Sequence, residues 1–177
     1  IIHINIDPSA LGRNVRCDYG IVGDAKAVLS EMIRILDARG VGRRESSWVE
    51  ELNRKREEWN KLWGGDIDSD SVPIKPQRLV RDVQKAIPKN SIVVAGAGVH
   101  HLFVTSYMKT FSPRTFIASV NMGSMGFAFP AAIGAKAARL EEPVVCVIGD
   151  GDFMMSIQDL ETAVRCGFNV VTVIMNN

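Results

Sequence analysis

The sequence predicts an α/β protein: a doubly wound parallel sheet preceded by the remnant of a second α/β domain. Two observations carry that prediction. From Lys75 onward strand and helix patterns alternate, while "IIHINIDP" and a capped helix near the start stand apart from that series. Alternation at this spacing implies βαβ crossovers, hence parallel strands with helices over both faces.

The elements follow in order. A strand is expected over 1–7, ended by Asp7 and Pro8, and Asp24 is expected to cap a helix reaching Ala38. Val28, Leu29, Met32, Ile33 and Leu36 fall on one face of that helix, and Gly40 and Gly42 close it. Residues 1–40 therefore read as the end of a central α/β domain, and the chain reads as a fragment that starts and stops inside domains. Residues 41–74 read as a connecting helix and linker. In "SSWVEELNRKREEWNKLWGG", Ser47 and Glu50 have capping-box spacing, and Gly64 and Gly65 stop the helix. Glu50 with Arg54 and Glu51 with Lys55 are spaced as i,i+4 pairs, and Trp48, Leu52, Trp59, Leu62 and Trp63 form a loose apolar stripe suited to docking on a neighbour. "DIDSDSVP" reads as a linker. Beyond it, helices are expected over 76–87, 101–109, 126–139 and 156–165, with strands over 91–95, 115–118, 144–148 and 170–175.

Composition narrows the class of partner. The chain has 177 residues, 46% hydrophobic and 23% charged, with a net charge of +1. That balance argues for a globular protein and against nucleic acid or an anionic membrane as partner, leaving a small molecule as the default ligand. Cys17, Cys146 and Cys166 lack the spacing of a zinc site or a disulfide framework, which suits a reducing, cytoplasmic location. No apolar run approaches the roughly 20 residues of a membrane span, and no signal-peptide layout opens the chain.

Ligands of open parallel sheets bind beyond the carboxyl ends of the strands. That rule selects the loops Gly96–His100, Ser119–Met125, Gly149–Phe153 and Asn176–Asn177. Asp150 and Asn177 each follow a strand, and a right-handed crossover brings both to one sheet edge, roughly 4.8 Å apart if the strands are neighbours. A carboxylate and an amide oxygen converging there suit Mg²⁺, which keeps further ligands from water and phosphates. Gly149 and Gly151 permit a sharp turn, and the helix that follows favours an anion. Either motif alone is ordinary turn chemistry; their joint spacing across one strand-helix-strand unit is what points to a cation with a phosphate.

"GDG…NN", preceded by "GSMGFAFPAAIGAKAA", resembles the diphosphate-binding domain of the thiamine diphosphate-dependent enzymes, in the acetolactate (acetohydroxyacid) synthase large-subunit branch. Residues 75–177 would then be the thiamine diphosphate and Mg-binding domain, incomplete at its C-terminus. The resemblance implies Asp150 and Asn177 as Mg²⁺ ligands, with Gly149, Gly151 and Asp152 at the diphosphate. It assigns Gly123, Ser124 and Met125 to the aminopyrimidine, with catalytic roles for the Gly123 carbonyl, which meets the 4′-amino group, and for the bulk of Met125, which bends the cofactor. It places Gly98, Val99 and His100 of "GAGVHH" on the other side of the diphosphate.

The same resemblance implies a branched-chain amino acid biosynthesis enzyme, transferase or lyase, that decarboxylates a 2-oxo acid such as pyruvate and passes the acyl unit to an acceptor carbonyl. Its family works as homodimers or homotetramers with an activating glutamate from a partner subunit, so this fragment alone is expected to be inactive. Another 2-oxo acid decarboxylase or acyltransferase, or a non-catalytic binding module, remains as the alternative. A dinucleotide reading of "GAGVHH" fails because His101 stands at the third glycine position.

The chain departs from the synthase pattern at two places. Asp152 stands where synthases usually carry serine, and its carboxylate must turn away from the diphosphate or weaken binding. "GVHH" replaces a loop that commonly shows glutamine. Asn5 and Asp24 fall where synthases contact FAD, although Asp24 is more simply a helix cap.

Overall fold

The computed structural model describes residues 1–42 and 46–176. The chain forms two compact units, the first running to Lys55 and the second beginning at Arg56. That division falls inside the segment read as a connector.

In the first unit, β1 (Ile2–Asn5) pairs in parallel with β2 (Tyr19–Val22), and α1 (Ala25–Ala38) follows. Asp24 caps α1 as expected, its Oδ1 accepting from the Ala27 N–H at 3.0 Å. The sequence reading missed β2, whose four residues include Gly20 and show no clear alternation. Helix α2 (Ser47–Trp63) is entered one residue earlier than expected. Ser46, not Ser47, is its cap: the Ser46 Oγ accepts from Trp48 N–H at 3.2 Å and its carbonyl from Val49 N–H at 2.9 Å. Glu50 thereby lies one position past that of a capping box. Arg54 pairs with Glu51, three residues back, at 3.0 Å.

The second unit opens with the end of α2, where Trp59 stacks at a tilt on Tyr107 with ring centroids 5.4 Å apart. The α-helix stops at Trp63, before Gly64 and Gly65, yet the supposed linker is ordered: Gly64–Asp68 forms a 3₁₀ turn. Its acidic residues are tied to α3 (Pro76–Ala86), with Asp70 on Arg78 at 2.6 Å, Asp68 on Arg81, and Asp66 accepting from Gln77 at 3.3 Å.

After α3 come β3 (Ile92–Ala95), α4 (Val99–Tyr107), β4 (Phe116–Ala118), α5 (Ala128–Ala138), β5 (Val144–Gly149), α6 (Asp150–Met154), a 3₁₀ turn, α7 (Leu160–Cys166) and β6 (Val170–Met175). Four of the strands form one parallel sheet in the order β4-β3-β5-β6. The helix expected over 156–165 is a 3₁₀ turn over Ile157–Asp159 followed by α7, and it is preceded by a short helix that was not expected, α6, which starts directly at Asp150 and is separated from the turn by a backbone break near Ser156 (φ −134°).

Period-two burial explains the double winding. Ile92, Val94, Val144, Cys146 and Ile148 face a core with Phe129, Ala132 and Ile133 of α5 and Ala163 of α7. Val93, Ala95, Val145 and Val147 face the opposite core, with Val80 of α3 and Val104 of α4. Both central strands are covered on both sides, so they are apolar throughout. The chain leaves β3 for β4 on one side and reaches β5 on the other, which puts the switch point between the carboxyl ends of β3 and β5.

Candidate functional site

At that switch point the loops singled out in the sequence meet. β3 ends at Ala95 and is followed by Gly96, whose N–H still bonds the Val147 carbonyl at 2.8 Å, and the chain then turns through Gly98 into α4. Gly98 holds φ +143°, a region open to glycine and strained for other residues. β5 ends beside it at Gly149, and α6 begins at once.

The Asp152 carboxylate joins the loops. It is 1% exposed; Oδ2 accepts from the Ala97 N–H at 2.6 Å and Oδ1 from the Gly126 N–H at 2.5 Å. One side chain thus connects the loop after β3, the turn before α5 and the start of α6. This resolves the departure from the synthase pattern: the carboxylate faces inward and leaves the α6 start free of its repulsion.

His100 fills the space beneath. It is 7% exposed, and its ring packs so close to Gly149 that a Cβ there would lie 3.1 Å from both Cε1 and Nδ1. Its Nε2 is buried and has no hydrogen-bond partner among the described residues. Burial holds the imidazole below the usual histidine range, with the Asp152 carboxylate pulling the other way. His100 packs inward in this structure, where the three glycines 96, 98 and 149 leave room for its ring. His101 Nδ1 lies 3.2 Å from the Gly96 carbonyl oxygen and donates to it in the Nδ1–H tautomer.

The remaining predicted residues line the mouth. Asp150 and Gly151 are exposed at the start of α6, and Val99 is exposed at the start of α4. Met125 is 47% exposed, so it is not core, and its Cε lies 3.4 Å from where a Gly151 Cβ would stand. Gly123 and Ser124 are exposed in a turn held by Ser119, whose carbonyl accepts from Gly123 N–H at 2.9 Å and whose hydroxyl accepts from Ser124 N–H at 3.3 Å.

β5 and β6 are direct neighbours, with Gly149 opposite Met175, so Asp150 and Asn176 leave the sheet at the same edge. Asn177, the second expected metal ligand, lies outside the described residues. The exposed Asp150 carboxylate, the open glycine backbone at Gly98 and Gly151 and the inward turn of Asp152 fit a metal-bound diphosphate.

Sequence reasoning missed Ala97 and Gly126 as partners of Asp152: it required the carboxylate to turn away from the diphosphate but not what receives it. The signal was the carboxylate at a position where a smaller hydroxyl was expected. A separate cavity of about 570 Å³ lies between α5, α7 and β6, lined by Phe129, Leu160, Val164 and Phe168. It offers no titratable side chain and carries no chemistry.

Residues 96–177 match the family model described as thiamine pyrophosphate enzyme, C-terminal TPP binding domain. All of the chain aligns with a probable acetolactate synthase large subunit of Methanocaldococcus jannaschii at 41% identity, covering 30% of that protein. It aligns likewise with that of Methanococcus aeolicus at 40%, covering 31%, and with the isozyme 3 large subunit of Escherichia coli at 36%, also covering 31%. The chain thus spans about three tenths of the length of these relatives. Residues 96–177 are thus similar to the C-terminal cofactor-binding domain of thiamine pyrophosphate enzymes, and the whole chain is similar to part of the acetolactate synthase large subunits.

Proposed function

We propose that the whole protein is a thiamine diphosphate- and Mg²⁺-dependent enzyme that decarboxylates a 2-oxo acid, pyruvate in the first instance, and transfers the acyl unit to an acceptor carbonyl as an acetolactate synthase does. The observation that carries this reading is the convergence of three loops on Asp152 at the sheet's switch point, beneath an exposed Asp150. The similarity of the whole chain to about three tenths of acetolactate synthase large subunits supports the choice of reaction.

In this reading residues 75–177 form the cofactor domain. Asp150 holds Mg²⁺ together with Asn177, and the backbone at Gly98, Val99, Gly149, Gly151 and Asp152 receives the diphosphate. Gly123, Ser124 and Met125 receive the aminopyrimidine. The bound cofactor supplies a nucleophilic carbon and an electron sink for decarboxylation. This chain's own part is to orient it: Met125 stands over Gly151 as a half-exposed apolar shelf, and the Gly123 turn presents backbone polar groups beside it. His100 is assigned to supporting the loop from below. A homodimer or homotetramer, with an activating glutamate from a partner subunit, completes the proposal.

A flavin is not required by it. Asn5 Oδ1 accepts from Asp7 N–H at 2.9 Å and Asp24 Oδ1 caps α1, so both side chains have local structural roles. Among the described residues, no helix is long and apolar enough to cross a membrane.

The test is calorimetric titration of the whole protein with thiamine diphosphate, with and without Mg²⁺, beside an Asp150→Ala variant, followed by product analysis with pyruvate. Metal-dependent binding that the variant loses, together with 2-acetolactate, is expected. Absence of binding to the parent protein refutes the cofactor reading; binding with a different product moves the reaction to another 2-oxo acid decarboxylase or acyltransferase of the superfamily.

A further inference from the structure

We infer that the Asp152 side chain is a positioning residue, a buried carboxylate that holds the loop 96–100 and the turn 123–126 in their ligand-ready arrangement before the cofactor arrives. The inference rests on the cofactor reading above.

Three observations carry it. First, the two N–H groups that Asp152 accepts, from Ala97 and Gly126, belong to loops far apart in sequence and on opposite sides of the α6 start. No other hydrogen bond described in the chain joins either loop directly to α6. Second, Asp152 is inaccessible, so its bonds escape competition from water and are charge-assisted, roughly twice as strong as neutral ones. Third, the surroundings are shaped around it. Gly96 has no room for a Cβ, which would overlap Asp152 Oδ2 and approach His100 Nε2 at 2.8 Å and Ile148 Cγ1 at 2.9 Å. His100 wedges the remaining space with its ring against Gly98 and Gly149. A hydroxyl at position 152 is too short to reach both N–H groups, so this chain holds its loops with an internal carboxylate where a serine side chain would instead be free to face the ligand.

Holding two loops in advance lowers the ordering cost of binding. The prediction is therefore about affinity and loop order, and it is separable from activity. In the cofactor-free whole protein, the Ala97 and Gly126 amides are expected to be protected from hydrogen exchange. The isosteric Asp152→Asn variant replaces one acceptor oxygen by a donor, which leaves one amide unpaired. At a temperature where parent and variant are both folded, exchange at Ala97 or Gly126 should accelerate at least tenfold, and the thiamine diphosphate Kd at saturating Mg²⁺ should rise at least tenfold.

Faster exchange with an unchanged Kd overturns the inference, because the carboxylate is then only a structural tie. A raised Kd with unchanged exchange overturns it too, because Asp152 then acts on the ligand directly. Should the variant fail to fold, the parent decides: unprotected Ala97 and Gly126 amides in the cofactor-free protein refute the advance ordering, and protected ones support it. A parent that binds no thiamine diphosphate at all sinks the cofactor reading, a failure distinct from a parent that binds and a variant that binds equally well.

Discussion

Gly96→Ala is the sharpest single test of how this site is packed. A Cβ there overlaps Asp152 Oδ2 and comes within 2.8 Å of His100 Nε2 and 2.9 Å of Ile148 Cγ1. All three neighbours are buried, so none swings out into solvent. Overpacking of this kind costs about 1–3 kcal/mol. If the carboxylate yields, the Ala97 N–H loses its acceptor, and an unsatisfied buried donor costs about 1–3 kcal/mol more. The expected loss when both act is therefore about 2–6 kcal/mol, a large share of a typical domain's stability of about 5–15 kcal/mol. Gly134→Ala is the matched control: it lies within α5, and a Cβ there meets nothing within 4 Å. Replacing a helical glycine by alanine should stabilise by about 0.5–1 kcal/mol. The assay is urea unfolding of the two variants and the parent in the whole protein, followed by circular dichroism. A Gly96→Ala loss below about 1 kcal/mol refutes the packing argument, since overpacking alone costs at least that much.

Two further outcomes follow from the burial of titratable groups. Because burial lowers the folded-state pKa of His100, the unfolded chain takes up the proton more readily; the contribution to stability is present above the unfolded value of about 6.5 and is lost as pH falls below it toward the folded pKa. Unfolding titrations from pH 7.5 to 5 should show a decline that is shallower in His100→Asn, and equal slopes would contradict it. Burial, with help from Asp152, pushes the Cys146 thiol up to about 12. In the native protein a thiol-reactive probe should label the exposed Cys166 and leave Cys146 untouched until denaturant is added, as peptide mass mapping reads directly.

Much of the fold was legible because its signals are local. The apolar strands at β3, β5 and β6, the glycines that stop α2 and the Asp24 cap each act through near neighbours in sequence, so type and approximate position follow from residue chemistry. The spacing of Gly149–Gly151 from the end of β6 likewise brought Asp150 to the correct sheet edge, because a right-handed crossover leaves few alternatives. Strand β2 escaped because its pairing with β1 supplies what its own four residues lack. The order of 66–73 escaped because it depends on Arg78 and Arg81, which are reached only after the chain folds back along α3. Asp152 and His100 show the same limit at the site. Their residue types announced a carboxylate and an imidazole near a diphosphate loop, but which way each side chain faces depends on three glycines and two amide groups brought together from distant stretches of chain. Sequence alone determined the family of loops and the edge on which they gather; the tertiary structure decided that Asp152 points into the protein, because there the part-buried N–H groups of Ala97 and Gly126 converge on its carboxylate.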